Sequence, residues 1–171
     1  MLEIPFEAPY QAENAMLAVK TAAVLGQRER GFRLTEAQIT EGIRTARWAG
    51  RMERVGENLY LDGAHNPGGI KAFIQAAASM AARKKKKAYL LFGAVSDKDY
   101  RAMARLLCER ISWAGIGVVH IDSSRSMDTE ALAEAFSQAY KGPVRAFETA
   151  GEALREMKKQ MSSYSAQAPC I

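Results

Sequence analysis

From Arg51 to the C-terminus the chain alternates short apolar stretches with segments of helical period, and few architectures accommodate that order. Ala88-Tyr89-Leu90-Leu91-Phe92 is apolar without a break, as expected of a strand covered on both faces. Gly117-Val118-Val119-His120-Ile121 and Pro143 to Phe147 read as two further strands. Between them, Ile70, Phe73, Ile74 and Ala77 recur at i, i+3, i+4 and i+7, the spacing of one helix face. Tyr100, Met103, Ala104 and Leu107 repeat that spacing, as do Leu132, Ala135, Phe136 and Ala139. Thr149-Ala150-Gly151-Glu152 has capping-box spacing and opens a last helix carrying Leu154, Met157 and Met161. Strand–helix units at this interval predict an α/β fold: a doubly wound, mainly parallel sheet with helices on both faces.

The punctuation sharpens the reading. Arg51 to Val55 and Asn58 to Leu61, separated by Gly56-Glu57, predict a hairpin or bulged strand pair. Asn66 is placed to cap a helix whose first position is Pro67, where a missing N–H costs nothing. The next helix is expected to open at Ser96. The first fifty residues differ: Gln11 to Leu25 is an alanine-rich helix, Gly26 to Leu34 a polar loop, and Thr35-Glu36-Ala37-Gln38 caps a second short helix. No strand lies between those helices. They read as a lid or as the tail of a preceding domain, with the expected division at residues 1–44 and 45–171.

Composition removes several classes. Hydrophobic residues are 48% and charged residues 25% of the chain, which is globular rather than disordered. No apolar run approaches a membrane span. Met1 is followed by Leu-Glu-Ile-Pro-Phe-Glu, without the basic start and apolar core of a signal peptide, so a cytoplasmic location is expected. Cys108 and Cys170 have no CxxC spacing and read as buried or incidental thiols. The run Arg83-Lys84-Lys85-Lys86-Lys87 accounts for the whole net charge of +5. It can serve a nucleic acid or anionic surface, but it closes a helix, where cations are favoured, and lacks interleaved aromatic residues for base stacking.

Ligands of doubly wound sheets bind outside the carboxyl ends of the strands. The loops on that edge are Asp62-Gly63-Ala64-His65-Asn66, then Gly93 to Asp99, then Asp122-Ser123-Ser124-Arg125, then Glu148-Thr149. They are dense in polar and ionisable groups, and the opposite edge is not. In the first of them Gly63 permits a tight turn, and Asn66-Pro67 presents a helix start whose N–H groups favour a phosphate or carboxylate. The same residues also suit ordinary capping. Gly63 to Gly68 has GxxxxG spacing, but Gly69-Ile70 follows where a P-loop needs Lys-Ser/Thr. Gly115-x-Gly117 leads into a strand and is no dinucleotide fingerprint. His120 is predicted inside that strand, packed in the core.

Leu61-Asp62-Gly63-Ala64-His65-Asn66-Pro67, preceded by Trp48-Ala49-Gly50-Arg51-Met52-Glu53, closely resembles folylpolyglutamate synthases, including the bifunctional dihydrofolate synthases, of the Mur ligase superfamily. Gln11-Ala12-Glu13-Asn14-Ala15 resembles the Gln-x-x-Asn helix that closes that family's central ATPase domain. Gly93 to Asp99 is similar to its Asp-Lys-Asp loop, and Ser124-Arg125 to its Ser/Pro-Arg segment. The resemblance implies an ATP-dependent amide ligase with a Rossmann-like C-terminal domain, joining L-glutamate to a folate through an acyl phosphate. By motif, Asn14, Arg51 and Asp62 would bind the nucleotide. His65 would be catalytic, beside the glutamate and the transferred phosphate, and Lys98 would bind the glutamate carboxylate. ATP and Mg2+ are implied, with the metal ligands and the P-loop in a central domain outside these residues. Residues 1–44 would then be that domain's tail, and the fragment is expected to be inactive alone. The family's last strand would follow Pro169-Cys170-Ile171, so the sheet is expected to lack an edge. The alternatives are a Mur-type cell-wall ligase domain and a basic α/β module for nucleic acid.

Overall fold

The computed structural model describes residues 3–29 and 31–163. Helix α1 (Tyr10–Arg28) and helix α2 (Glu36–Thr45) come first. Strands β1 (Glu53–Gly56) and β2 (Leu59–Leu61) then form an antiparallel pair whose register shifts between Arg54 and Gly56, the bulge that Gly56-Glu57 suggests. Helix α3 (Pro67–Lys84), strand β3 (Tyr89–Phe92), helix α4 (Tyr100–Arg110), strand β4 (Gly115–Val119), helix α5 (Thr129–Ala139), strand β5 (Val144–Phe147) and helix α6 (Ala150–Ser163) complete the alternation. β3, β4 and β5 lie side by side in that order, all parallel, with Leu90 opposite Ile116 and Ile116 opposite Val144.

Strand parity divides the core between the two faces. Leu90, Phe92, Ile116 and Val118 pack with Phe73 of α3, Leu107 of α4 and Phe136 of α5. Tyr89 and Leu91 point the other way, to Met157, Leu154 and Met161 of α6. On that second face β4 presents Gly115 and Gly117. A Cβ on Gly117 would come within 2.9 Å of Met157 Cε and 3.1 Å of both Leu91 Cδ1 and Phe147 Cε2. The bare backbone is what lets α6 lie close to the sheet. Trp113 anchors the first face: it is 2% exposed, stacks on Phe73 at 6.5 Å, and donates its indole N–H to Leu107 O.

The helix starts follow the sequence closely. Asn66 accepts from Gly69 N–H, Thr35 and Gln38 form both halves of a capping box, and Thr149 accepts from Glu152 N–H. Two boundaries differ from expectation. α4 opens at Tyr100 with Asp99 as its cap, not at Ser96: Val95 pairs with Ser126 in an isolated antiparallel bridge, Ser96 N–H donates to Arg125 O, and Ser96 and Asp97 form a turn. β4 ends at Val119, so His120 stands exposed beyond the strand rather than in the core. β4 begins at Gly115, where the missing side chain leaves room for the Tyr89 ring, 2.9 Å from where a Cβ would stand, and at Gly117 the missing side chain leaves room for Met157 of α6. Pro169, Cys170 and Ile171, after which the family's last strand is expected, lie outside the described residues.

The first two helices contrast with this packing. Residues 7–11 are seated on the α/β unit: Ala8 is in its core, Tyr10 packs against it, and Glu7 pairs with Arg83 at 3.2 Å. Beyond Gln11, α1 has no buried residue, and Met16, Leu17, Val24 and Leu25 are exposed. Among the described residues no helix is long and apolar enough to cross a membrane. The basic run is partly engaged. Lys84 Nζ donates to Asn58 Oδ1 at 2.6 Å and sits 5.4 Å over the Tyr60 ring, and Lys85 turns the helix end in a left-handed conformation.

Candidate functional site

The site is built on a kink. Gly50 has φ +65° and Met52 has φ +48°, so Arg51 stands between two left-handed residues. Such a φ is strained for methionine and persists only where the surroundings over-determine it. Three restraints do so here. Met52 N–H donates to Asp62 Oδ2 at 2.9 Å, Gly63 N–H donates to Gly50 O at 2.7 Å, and Gly50 N–H donates to Glu53 Oε2 at 2.8 Å. The Met52 side chain, 2% exposed, is locked into the core. The kink therefore aims Arg51 outward from a fixed backbone.

Asp62 is the keystone of that arrangement. Its second oxygen accepts from Ala64 N–H at 2.9 Å, so one carboxylate ties the kink to the loop that follows β2. Tyr10 also meets it. Burial first, and then the Asp62 carboxylate, push the Tyr10 hydroxyl above its usual range, while the Arg51 guanidinium opposes them. His65 Nδ1 lies 2.8 Å from Gly63 O. A carbonyl only accepts, so Nδ1 carries the proton, and in the neutral ring Nε2 is left as the acceptor. Tyr10, Arg51, Asp62, His65, Asn66 and Gly69 line one open cleft of about 190 Å³ at the N-terminus of α3. Guanidinium, helix dipole and imidazole converge there, an arrangement suited to an anion such as a phosphoryl group.

The other expected residues sit elsewhere. Lys98 lies in the β3–α4 loop, 3.2 Å from Asp97, and Arg125 of the β4–α5 loop approaches the same Asp97 oxygen at 3.8 Å. Ser96 N–H donates to Arg125 O and Met127 N–H to Ala94 O, so the two loops are tied together by their backbones. Lys98 first, then Arg125, hold the Asp97 carboxyl below its usual range. Asn14, one turn into α1, donates to Gln11 Oε1 at 2.8 Å. Neither Asn14 nor Lys98 lines the cleft. Gln11, quoted in the Gln-x-x-Asn motif but given no role there, is 2% exposed, and its Nε2 is a buried donor with no partner among the described residues. Tyr10 and Met52 were missed as well. Tyr10 precedes its motif, and Met52 looks like any core methionine until its φ is known. Among the described residues no group of three His, Cys, Asp or Glu side chains is placed to hold a metal ion.

Residues 50–165 match the family model described as Mur ligase, glutamate ligase domain. A protein named probable bifunctional folylpolyglutamate synthase/dihydropteroate synthase, from Halobacterium salinarum, is 37% identical over 154 residues, covering 86% of this chain and 17% of that protein. The folylpolyglutamate synthase of Lacticaseibacillus casei is 33% identical over 113 residues, covering 65% of this chain and 26% of the relative. Among solved structures, a Mycobacterium tuberculosis folylpolyglutamate synthase complexed with ADP and AMPPCP matches with a TM-score of 0.78 and 25% identity, over 99% of this chain and 38% of that one. The chain thus spans about a quarter or less of the length of the two sequence relatives.

Proposed function

Because the chain belongs to the Mur ligase family, in its glutamate ligase domain, we propose that it is the C-terminal part of an ATP-dependent ligase that adds L-glutamate to folates. In that reaction the folate carboxylate takes the γ-phosphoryl group of ATP, giving an acyl phosphate and ADP. The glutamate amine then attacks the acyl carbon and phosphate leaves. The observation that carries the reading is the Asp62–Met52 bond, which fixes Arg51 at the mouth of the cleft shared with His65 and the start of α3.

Each residue has a role that its chemistry allows. Arg51 offers a planar fork of donors to the phosphate oxygens as charge shifts during transfer. Asp62 orients the nucleotide while holding the kink. Asn14 binds the nucleotide from α1. His65 Nε2, open to the cleft, sits beside the transferred phosphate and the amine. Lys98 binds the glutamate carboxylate, with Asp97 fixing its position. The nucleotide site is completed by a P-loop-bearing central domain whose tail is residues 1–44, in a cytoplasmic enzyme. Mg2+ belongs to the reaction, but the described residues do not form a site for it, and its ligands are assigned to that central domain.

A relative described as a UDP-N-acetylmuramoyl-L-alanyl-D-glutamate–2,6-diaminopimelate ligase, from Caulobacter vibrioides, is 26% identical over 147 residues and supports a second reading, a cell-wall peptide ligase. The intact enzyme assayed with ATP and, in separate reactions, L-glutamate or 2,6-diaminopimelate separates them. A γ-glutamyl product on a folate acceptor is expected, and ADP release only with a muramoyl-peptide acceptor would transfer the assignment.

A further inference from the structure

The proposed function gives Trp48 no role. The chain has two tryptophans, and they differ completely. Trp113 is 2% exposed, whereas Trp48 is 54% exposed, at the start of the segment that makes the kink. An aromatic ring that leaves more than half of its surface to water gives up much of the stabilisation that full burial would bring. The guanidinium of Arg51 lies over it, 5.4 Å from the ring centroid. Arg47, the neighbouring cation, is turned away and donates to Ala46 O.

Arg51 is otherwise lightly held. Among the described residues it forms no ion pair, and its bond to Gly50 O is long at 3.4 Å. A long side chain left free gives up rotamer entropy when a ligand fixes it. A carboxylate partner would restrain it but would also neutralise it and occupy its donors. An aromatic face does neither. The guanidinium stacks through its own face, and its in-plane N–H groups stay available to a phosphate.

We propose that Trp48 is a positioning residue for Arg51. Its indole face holds the guanidinium, charged and with its donors open, over the cleft before the anionic ligand arrives. The kink at Gly50 and Met52 sets the direction, and Trp48 sets the side-chain rotamer. This rests on the reading of Arg51 as the phosphate-facing group of a ligase.

Two measurements test it separately. The first uses the 171-residue chain and needs no activity. A cation over the Trp48 ring attracts iodide and repels caesium, so Arg51→Ala should lower iodide quenching of Trp48 by roughly twofold and leave neutral acrylamide quenching nearly unchanged. The Trp48→Phe chain supplies the Trp113 background. Equal iodide quenching with and without Arg51 overturns the contact. The second uses the intact ligase. Trp48→Leu should lower kcat/KM for ATP by about tenfold, Trp48→Phe should stay within about twofold of the parent, and Trp48→Leu added to Arg51→Ala should cost nothing further. An equal loss in both backgrounds overturns the proposal, since Trp48 would then act without Arg51. If Arg51→Ala leaves turnover intact while the iodide contrast persists, the contact is real but positions nothing for the reaction. That outcome overturns both this inference and the role given to Arg51.

Discussion

A left-handed methionine is costly, and the residues that hold Met52 in that state decide how the site responds to mutation. Arg51→Ala in the intact enzyme is expected to lower kcat far more than it raises the KM for ATP, because the guanidinium follows charge that develops during transfer. Arg51→Lys should restore little, since lysine lacks the fork. Comparable kcat in parent and Arg51→Ala would remove Arg51 from the chemistry. Asp62→Asn is a harsher change than its shape suggests. Both carboxylate oxygens accept backbone N–H groups, from Met52 and Ala64, and an amide can accept at only one of those positions. The variant should lose about 1–3 kcal/mol of stability on denaturant unfolding, whether or not nucleotide is present. Unchanged stability would show that the kink is held by the Gly63–Gly50 and Gly50–Glu53 bonds and by Met52 packing, without Asp62. This scale is where the sequence was least legible. The motif pointed to Arg51, Asp62 and His65 together, and the structure gathers them in one cleft, but nothing in the residue order announces φ +48° at Met52 or the phenol of Tyr10 beside Asp62.

At the level of elements, apolar period and capping chemistry identified each helix and strand, because burial on one face or two leaves a direct imprint on residue order. Leu90 and Phe92 facing one layer, with Tyr89 and Leu91 facing the other, is that imprint realised. The two boundary errors share a cause. Ser96 is a good N-cap by type, yet a long-range bridge between Val95 and Ser126 fixes the backbone there, and a local pattern cannot report a partner thirty residues away. Likewise the early start of β4 rests on distant partners, the Tyr89 ring over Gly115 and Met157 of α6 over Gly117. That dependence is testable. Gly117→Ala places a methyl among Met157, Leu91 and Phe147 in a fully packed layer, and overpacking of this kind costs about 1–3 kcal/mol. The denaturant midpoint should fall accordingly, and Met157→Ala in the same chain should recover part of the loss by vacating the space. A midpoint unchanged by Gly117→Ala would mean that α6 rides further from the sheet than its contacts indicate.

For the whole molecule, the stability of the fold and the completeness of the site separate cleanly. Burial pushes the Cys108 thiol from its ordinary value of 9.0 up to about 11, and Tyr10 and Tyr140 are raised as well. A group with a raised folded-state pKa keeps its proton when the unfolded chain has lost it. Its stabilisation is therefore full below pH 9 and is lost as pH climbs towards 11. Unfolding free energy should decline over that interval, by up to about 2 kcal/mol from the thiol, and Cys108→Ala should flatten the decline. A curve of unchanged steepness in Cys108→Ala would assign the effect to the tyrosines. Catalysis makes the opposite demand, for parts that this chain does not hold. Its 171 residues contain a candidate arginine, a helix N-terminus and an imidazole, but no GxxxxGK[ST] run to cradle the β- and γ-phosphates and no group of side chains among the described residues that would hold a metal ion. Phosphoryl transfer is almost entirely positioning and charge stabilisation, so a domain that supplies only part of the charge should leave the barrier close to that in water. The purified chain is expected to release no phosphate from ATP above a heat-killed control, with or without folate and L-glutamate, while keeping a cooperative unfolding transition that shows it is folded. Supplying the P-loop domain as a second polypeptide should restore ADP formation if the exposed apolar residues of α1 (Met16, Leu17, Val24 and Leu25) pack against that domain. Steady phosphate release by the chain alone would place the whole catalytic apparatus within these residues and refute the division of labour assigned to them.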